Sequence, residues 1–443
     1  MVKQANNKME SFRIESLEIN KIGAFEHIKM DFPKKTDPDK AEIHILTGEN
    51  GTGKSTVLML LASLADKSND DNIFKRKHFF KERRVWIGIE YNYLINLNIF
   101  GESIIFKRLL YEDDKTESLI VSDRLQVNKQ ENSESTEYAF FAYSGNRFTK
   151  SELISESEYK GIDPFKNAVD FLTVKDSKNF LTWILSNKTK ALIDFSNGGI
   201  LGESKYDTTI KKIEEIIFEI IGMKIQFVLH SFPNIHVAIK LNDMLIDIDT
   251  LPDGIKSIIS WLGDLLMRLD SIDWTIDSTN KIPIFEQNFI LFLDEIEVHL
   301  HPAWQRKILP VVQKLFKNAQ IFISTHSPFV VGSVDGAWIH KLKKDGAFAV
   351  LDGEPVLSED AESYDTILEE VFGIKERFGD EIEDRLEKFR DITKEILKGD
   401  EHRLKEWQSI ISFFKNQERP DEIMSYITPQ IRQINRIRNQ ILS

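Results

Sequence analysis

Residues 48–55 read Gly-Glu-Asn-Gly-Thr-Gly-Lys-Ser, a Gly-x-x-x-x-Gly-Lys-Ser spacing suited to phosphate. Glycine tolerates positive φ, so such a loop can turn successive N–H groups inward onto phosphate oxygens. Asn50, Gly51, Thr52, Gly53 and Thr56 complete the cradle, Lys54 has the reach for the terminal phosphates, and the Ser55 hydroxyl is a ligand for Mg2+. A metal bound there also needs a carboxylate. In "FILFLDE" five apolar residues make a buried strand that stops at Asp294-Glu295, giving a metal ligand, Asp294, and a general base for an attacking water, Glu295. A third apolar run, "IFISTHSP", ends at His326, whose imidazole either hydrogen-bonds a γ-phosphate or is a structural residue satisfied by its surroundings. "LPDGIKS" enters a helix through Asp253-Gly254 and Ser257, as an anion site or as a plain helix cap.

Each of these groups stands where an apolar run stops. "EIHIL" is a short strand feeding the Gly-rich loop, and "TVLMLLASLA" after it is apolar enough for a helix buried on most sides. Upstream, Phe12 and Ile14, Leu17 and Ile19, then Phe25, Ile28, Met30 and Phe32 predict short strands that end at Pro33. "VWIGIEYNYL", "SIIFKRLL" and "YAFFAY" are strand-like, whereas "DPFKNAVDFL", "NFLTWIL" and "TTIKKIEEIIFEIIG" carry the spacing of helices. "KIQFVLH", "NIHVAIKL" and "MLIDID" predict strands, the last two joined by a tight turn at Asn242-Asp243, and "GIKSIISWLGDLLMRL" predicts a helix. A further helix begins near His301-Pro302, between the two strands that carry Asp294 and His326. Strand, helix, strand with near-continuous apolar strands is the pattern of a parallel sheet covered on both faces.

At 443 residues with 41% hydrophobic content, the chain is long enough for about two or three domains around a sizeable core. The net charge of −13 argues against wholesale coating of nucleic acid, which needs a local surplus of cations. No apolar run approaches the ~18 residues of a membrane span and no N-terminal stretch has the form of a signal peptide, so a soluble, cytoplasmic protein is expected. Without cysteine there are no disulfides or thiolate metal sites. Leu351–Asp400 carries 17 acidic against 7 basic residues and is expected, with the rest of the C-terminal region, to be helical. There is no internal repeat and no sustained heptad pattern.

In order and spacing the four motifs resemble those of ABC-type ATPases, especially the branch shared by SMC, RecF and OLD-like proteins. "GENGTGKST" looks like the Walker A of that branch, "FILFLDE" its Walker B with catalytic glutamate, "LPDGIKS" its signature and "STHSP" its switch histidine. The resemblance implies an α/β fold of the P-loop NTPase kind, with a mainly parallel core sheet, an antiparallel β subdomain, a helical signature lobe and a C-terminal helical region. The boundaries expected are 1–345 for the ATPase domain, with nucleotide core 1–70 and 280–345 and insertion 71–279, and 346–443 for an acidic region that docks an oligomer or partner. It implies ATP and Mg2+ as cofactors and a head-to-tail dimer, or a higher oligomer, in which the signature of one subunit closes over ATP on the other. Pro252 departs from the family, which commonly has serine there, and offers the γ-phosphate neither hydroxyl nor N–H. "FAYSGNR" is similar to an element of some OLD-like ATPases and makes Arg147 a candidate nucleotide or interface sensor. His299 and His301 fall in the D-loop of the resemblance, which argues against a metal site there.

Residues 345–443 lack the acidic pairs of a nuclease domain, and the gap of about 200 residues between Walker A and signature is not heptad-patterned. The organisation is similar to stand-alone ATPases of bacterial anti-phage systems of the Septu type, whose partner is an HNH nuclease. The expected function is an ATP-gated sensor and scaffold controlling a separate nuclease; a RecF-like repair ATPase that binds DNA itself is the alternative. "KRKHFFKERR", Lys75 to Arg84, holds six Lys/Arg in ten residues and either tracks nucleic-acid phosphates or forms a solvated helix face. Ile427, Ile431, Ile434, Ile437 and Ile441 form a stripe for core packing or for docking.

Overall fold

The computed structural model describes residues 12–65, 91–99, 102–110, 116–120, 138–145, 163–171, 177–198, 200, 204–231, 235–272, 274–277, 280–359, 363–374, 376–399 and 402–441. The basic segment Lys75–Arg84 and Arg147 lie outside these residues. The chain forms two compact units, one ending at Phe372 and one starting at Gly373.

The first unit opens with the hairpin of β1 (Phe12–Ile22) and β2 (Phe25–Asp31). The apolar alternation slips between Ile14 and Leu17 because β1 carries a bulge between Ile14 and Ser16. β3 (Glu42–Gly48) enters the Gly-rich loop and α1 (Lys54–Ala62) leaves it. β4 (Tyr91–Ile99), β5 (Glu102–Leu110) and β6 (Thr116–Ile120) extend the hairpin into an antiparallel sheet of order β2-β1-β4-β5-β6. β7 (Ala139–Tyr143) returns to the centre, followed by α2 (Ser177–Ser196) and α3 (Lys205–Ile221), which Ser204 caps and Gly222 ends at φ 73°. β8 (Ile225–His230), β9 (His236–Leu241) and β10 (Met244–Ile246) form a small sheet whose turn at Asn242-Asp243 has positive φ at both residues. α4 (Asp253–Ile258) runs through a π-helical turn into α5 (Asp264–Ser271), and a ribbon of β11 (Thr275–Asp277) and β12 (Asn280–Lys281) follows.

β13 (Phe289–Leu293), α6 (Pro302–Leu315), β14 (Gln320–Ser324), α7 (Pro328–Val331) and β15 (Trp338–Asp345) complete the centre. Strands β15, β3, β14, β13 and β7 lie side by side and parallel. Alternate residues serve opposite faces. Phe289, Leu291 and Leu293 pack with Ile321 and Ile323 against the helical side, while Ile290, Phe292 and Phe322 pack with α1 and the antiparallel sheet. Gln320 fastens the two sheets, accepting from Ile14 N–H at 2.8 Å and donating to Ile14 C=O at 2.9 Å.

Two expectations fail. "DPFKNAVDFL" makes turns over Pro164–Val169, not a helix: Asn167 has φ 53°, and the Pro164 and Lys166 carbonyls accept from the Arg268 guanidinium at 2.7 and 3.0 Å instead of from helix amides. The region after residue 345 is not wholly helical: β16 (Phe348–Leu351) and β17 (Val356–Leu357) pair antiparallel with β15, the first through a turn at Gly346 with φ 59°. α8 (Tyr364–Thr366) and the turn after it bring Ile367 into the core, so the first compact unit runs past the expected boundary at 345 to Phe372.

The second unit is helical, with α9 (Asp380–Leu397), α10 (Leu404–Lys415) and α11 (Pro420–Ile441) packed on Leu386, Phe389, Trp407, Phe414, Ile427 and Ile434. Ile427 and Ile434 of the apolar stripe are therefore core residues, while the side chains of Ile437 and Ile441 lie outside the described residues.

Between the sheets lies a buried polar chain. His44 Nε2 contacts Glu42 Oε1 at 3.1 Å, and His44 Nδ1 lies 3.1 Å from His340 Nε2. Glu42 is an acceptor, so His44 carries its proton on Nε2 and His340 donates from its own Nε2. Burial would raise the Glu42 carboxyl, but the His44 hydrogen bond and the charges of His44 and Arg13 outweigh it and hold it at about 2. Burial pushes His44 below its ordinary 6.5 and His340 well below it. His340 stays neutral in the folded chain while the unfolded chain protonates it near 6.5, so its contribution is complete above that pH and declines as pH falls beneath it. Urea denaturation should show stability falling below pH 6.5, and His340→Leu should reduce that slope by up to about 1.4 kcal/mol per pH unit; an unchanged slope would refute the assignment.

Candidate nucleotide site

The Gly-rich loop is shaped by what surrounds it. Gly48 has φ 140°, and a Cβ there would lie 2.0 Å from the Leu342 carbonyl oxygen; at Gly53, φ 90°, it would lie 2.6 Å from the Phe25 ring. Only glycine fits either place. Asn50 and Gly51 are exposed at the tip, while Thr52 and Thr56 are buried and Thr52 Oγ1 donates to the Glu49 carbonyl at 2.9 Å. The Lys54 ammonium donates to the carbonyls of Gly48 and Glu49 at 2.8 and 2.9 Å. Burial lowers its pKa, and Asp294, Glu295 and Glu297 pull it back up.

Ser55 Oγ donates to Asp294 Oδ1 at 2.9 Å, and Ser324 Oγ donates to the same oxygen at 2.5 Å. The loop helix, the end of β13 and the end of β14 thus meet at one carboxylate. A hydroxyl and a carboxylate side by side are the hard oxygen donors that Mg2+ takes, so the residue set fits that ion. Glu295 follows with φ 46°, its N–H donating to Ser324 Oγ at 2.8 Å and its side chain exposed. Non-glycine residues at such φ are strained, and such strain gathers at functional sites. Gly145, after β7, lies beneath it: a Cβ there would meet Glu295 Oε2 at 2.8 Å and Glu295 Cβ at 3.0 Å.

His326 ends β14 on the same edge. Burial lowers its pKa, the Lys54 charge adds to this, and Glu297 and Asp294 oppose it, so the ring is neutral near pH 7. Its backbone N–H donates to Glu297 Oε1 at 2.5 Å. Lys54, Ser55, Asp294, Glu295 and His326 are therefore brought together at the carboxyl ends of three adjacent parallel strands, where open α/β sheets bind ligands. The signature segment is placed differently. Asp253 is exposed in the first turn of α4 and pairs with Lys256 at 3.5 Å, whereas Gly254 is buried, a Cβ there meeting the His299 carbonyl oxygen at 2.6 Å and the Trp304 ring at 2.9 Å. Ser257 is 1% exposed, on the core side of the helix with Ile255 and Ile258, so its hydroxyl does not reach the surface on which the resemblance would use it. His301 caps α6 by accepting from Ala303 N–H at 3.2 Å, and His299 takes φ 65°. Gly145, Ser324 and Glu297 escaped the sequence reading; Gly145 and Ser324 lie inside quoted motifs and Glu297 two residues past one, but the partners of Ser324 and Glu297 lie 29 to 30 residues away.

Fold and assembled motifs define an ABC-type ATPase. Two family models match the chain: one described as "AAA domain, putative AbiEii toxin, Type IV TA system" over residues 240–332, and one described as "AAA domain" over residues 12–79. Within this class the chain is similar to the Retron Ec83 probable ATPase of Escherichia coli, 26% identical with 76% of this chain and 72% of that protein covered. It is similar also to Septu protein PtuA of Bacillus thuringiensis, 22% identical with 72% of each covered, and to the Retron Vc95 probable ATPase of Vibrio cholerae serotype O1 biovar El Tor, 23% identical with 72% of each covered. Among solved structures, an SMC head bound to the C-winged helix domain of ScpA aligns at TM-score 0.43 and 14% identity, covering 82% of this chain and 99% of that one.

The space beneath Glu295 yields a test. Gly145→Ala should lower ATP turnover by about tenfold to a hundredfold with ATP affinity within about twofold, since a small displacement of a catalytic group costs that much. Wild-type turnover in that variant would show that Glu295 needs no such seat.

Proposed function

We propose that this chain is the ATP-binding and hydrolysing sensor and scaffold subunit of a bacterial anti-phage defence complex, its nucleotide state controlling a separately encoded nuclease, HNH or similar. The observation that carries the reading is the convergence of Lys54, Ser55, Asp294, Glu295 and His326 on one edge of the parallel sheet. The similarity to Septu and retron proteins supports the defence setting. In this reading the complex works in the cytoplasm, and among the described residues no helix is long and apolar enough to cross a membrane.

Asn50 to Thr56 wrap the phosphates with backbone N–H groups, and Lys54 exchanges its loop carbonyls for phosphate oxygens. Ser55 and Asp294 would hold Mg2+, which supplies charge neutralisation on the phosphates. Glu295 takes the proton of the attacking water, and the neutral His326 ring donates a hydrogen bond to the γ-phosphate. The first turn of α4, with Asp253 and Gly254, approaches the nucleotide of a second subunit in a head-to-tail dimer. Closure of that dimer is the two-state element a nucleotide-gated effector needs.

Lys54→Ala should abolish ATP binding, and Glu295→Gln should keep binding while turnover falls by on the order of a hundredfold or more. With ATP, Glu295→Gln should run as a dimer or larger in light scattering, and affinity capture of the wild type from its own host should bring down a nuclease. Equal turnover of wild type and Glu295→Gln removes the base assignment. Capture of the chain alone, with tight, salt-sensitive binding to naked DNA, would replace the defence reading with a repair ATPase.

A further inference from the structure

We propose that Glu297 is a positioning residue for hydrolysis, its carboxylate fastening the switch-loop backbone so that the His326 ring faces the nucleotide site. The inference rests on the roles of Glu295 and His326 given above.

The loop after β14 has three consecutive N–H groups to place. Thr325 N–H donates to the Leu46 carbonyl at 3.1 Å, which anchors the loop to β3, and Ser327 N–H donates to Thr325 Oγ1 at 3.0 Å within the loop itself. His326 N–H alone of the three goes to a charged side chain on another loop, Glu297 Oε1 at 2.5 Å. A hydrogen bond to an ionised acceptor is roughly twice as strong as a neutral one, so the residue that carries the switch ring is also the one most firmly held.

Gln305 adds a second tie. Its Oε1 accepts from Ser327 Oγ at 2.6 Å while its Nε2 donates to the Leu300 carbonyl at 2.9 Å, so both loops are bound to the start of α6. Between these ties the backbone that carries His326 is held on both sides. The other oxygen of Glu297, Oε2, is buried and has no hydrogen-bond partner. A purely structural acceptor for one N–H would not need a charge kept at that desolvation cost. The charge acts on the site itself, since Glu297 favours the protonated forms of both Lys54 and His326. Glu295, two residues earlier, is exposed to water; Glu297 is turned inward to the loop.

The test compares Glu297→Ala and Glu297→Gln with wild type, following turnover, ATP affinity by calorimetry and the His326 ring by NMR titration. Glu297→Ala should lower kcat by about tenfold to a hundredfold with affinity within about twofold. Glu297→Gln keeps an amide oxygen for the His326 N–H and should recover kcat to within about fivefold of wild type, while the His326 titration moves to lower pH because the charge is gone. Wild-type turnover in Glu297→Ala overturns the proposal, as does a Glu297→Gln variant as inactive as Glu295→Gln, which would make Glu297 itself the base. If Glu297→Ala does not fold, Glu297→Gln decides alone: retained turnover with a shifted His326 titration supports the role, and an unmoved titration overturns it. Full turnover in Glu295→Gln would remove the base assignment and leave the Glu297 comparison standing.

Discussion

The site depends on one carboxylate oxygen that serves two hydroxyls. Asp294 Oδ1 accepts from Ser55, at the start of the loop helix, and from Ser324, at the end of the neighbouring strand. Those hydroxyls belong to segments nearly 270 residues apart in the chain. They meet because β13 lies directly beside β14, and β14 directly beside β3. The strand order sets this proximity, and the carboxylate turns proximity into registration. Ser324 then donates its hydroxyl proton to Asp294 while accepting from Glu295 N–H, so the carboxylate proposed to hold the metal and the residue proposed as base are set by the same side chain.

The rest of the fold keeps those strand ends still. The apolar alternation of β13 and β14 commits one face to the helices and the other to α1 and the antiparallel sheet, and a shift of one residue would exchange the two sets. Gln320, at the opposite end of β14 from Ser324, completes the backbone pairing of Ile14 with its amide and so fixes the antiparallel sheet to the same strand. One strand therefore carries the switch loop at its carboxyl end and the clasp between the sheets at its start.

The sequence was most legible where function is written locally. The Gly-rich loop, the apolar run into Asp294-Glu295 and the run into His326 each combine residue type with an element boundary, and both features lie within a dozen residues. It was least legible where the deciding partner is distant. The periodicity of "DPFKNAVDFL" is real, but the carbonyls of that segment go to Arg268, itself paired with Asp264 at 2.6 Å, about a hundred residues on. Asp345-Gly346 at the end of β15 was a local hairpin signal, and the acidic composition that follows obscured it. Glu297 lies two residues past the Asp294-Glu295 pair, yet nothing in the local sequence says that its oxygen meets an amide 29 residues later.

Two residues of the loop after β13, Glu295 and His299, hold left-handed backbone at φ 46° and 65°. L-residues pay for that geometry with about 1 kcal/mol or more each, and glycine or asparagine would sit there more comfortably. At Glu295 the more comfortable residue would lack a carboxylate. With Glu295 as the base proposed above, thermal robustness and turnover pull in opposite directions at that position, and a library selected for heat resistance alone would drift towards well-folded, catalytically silent chains.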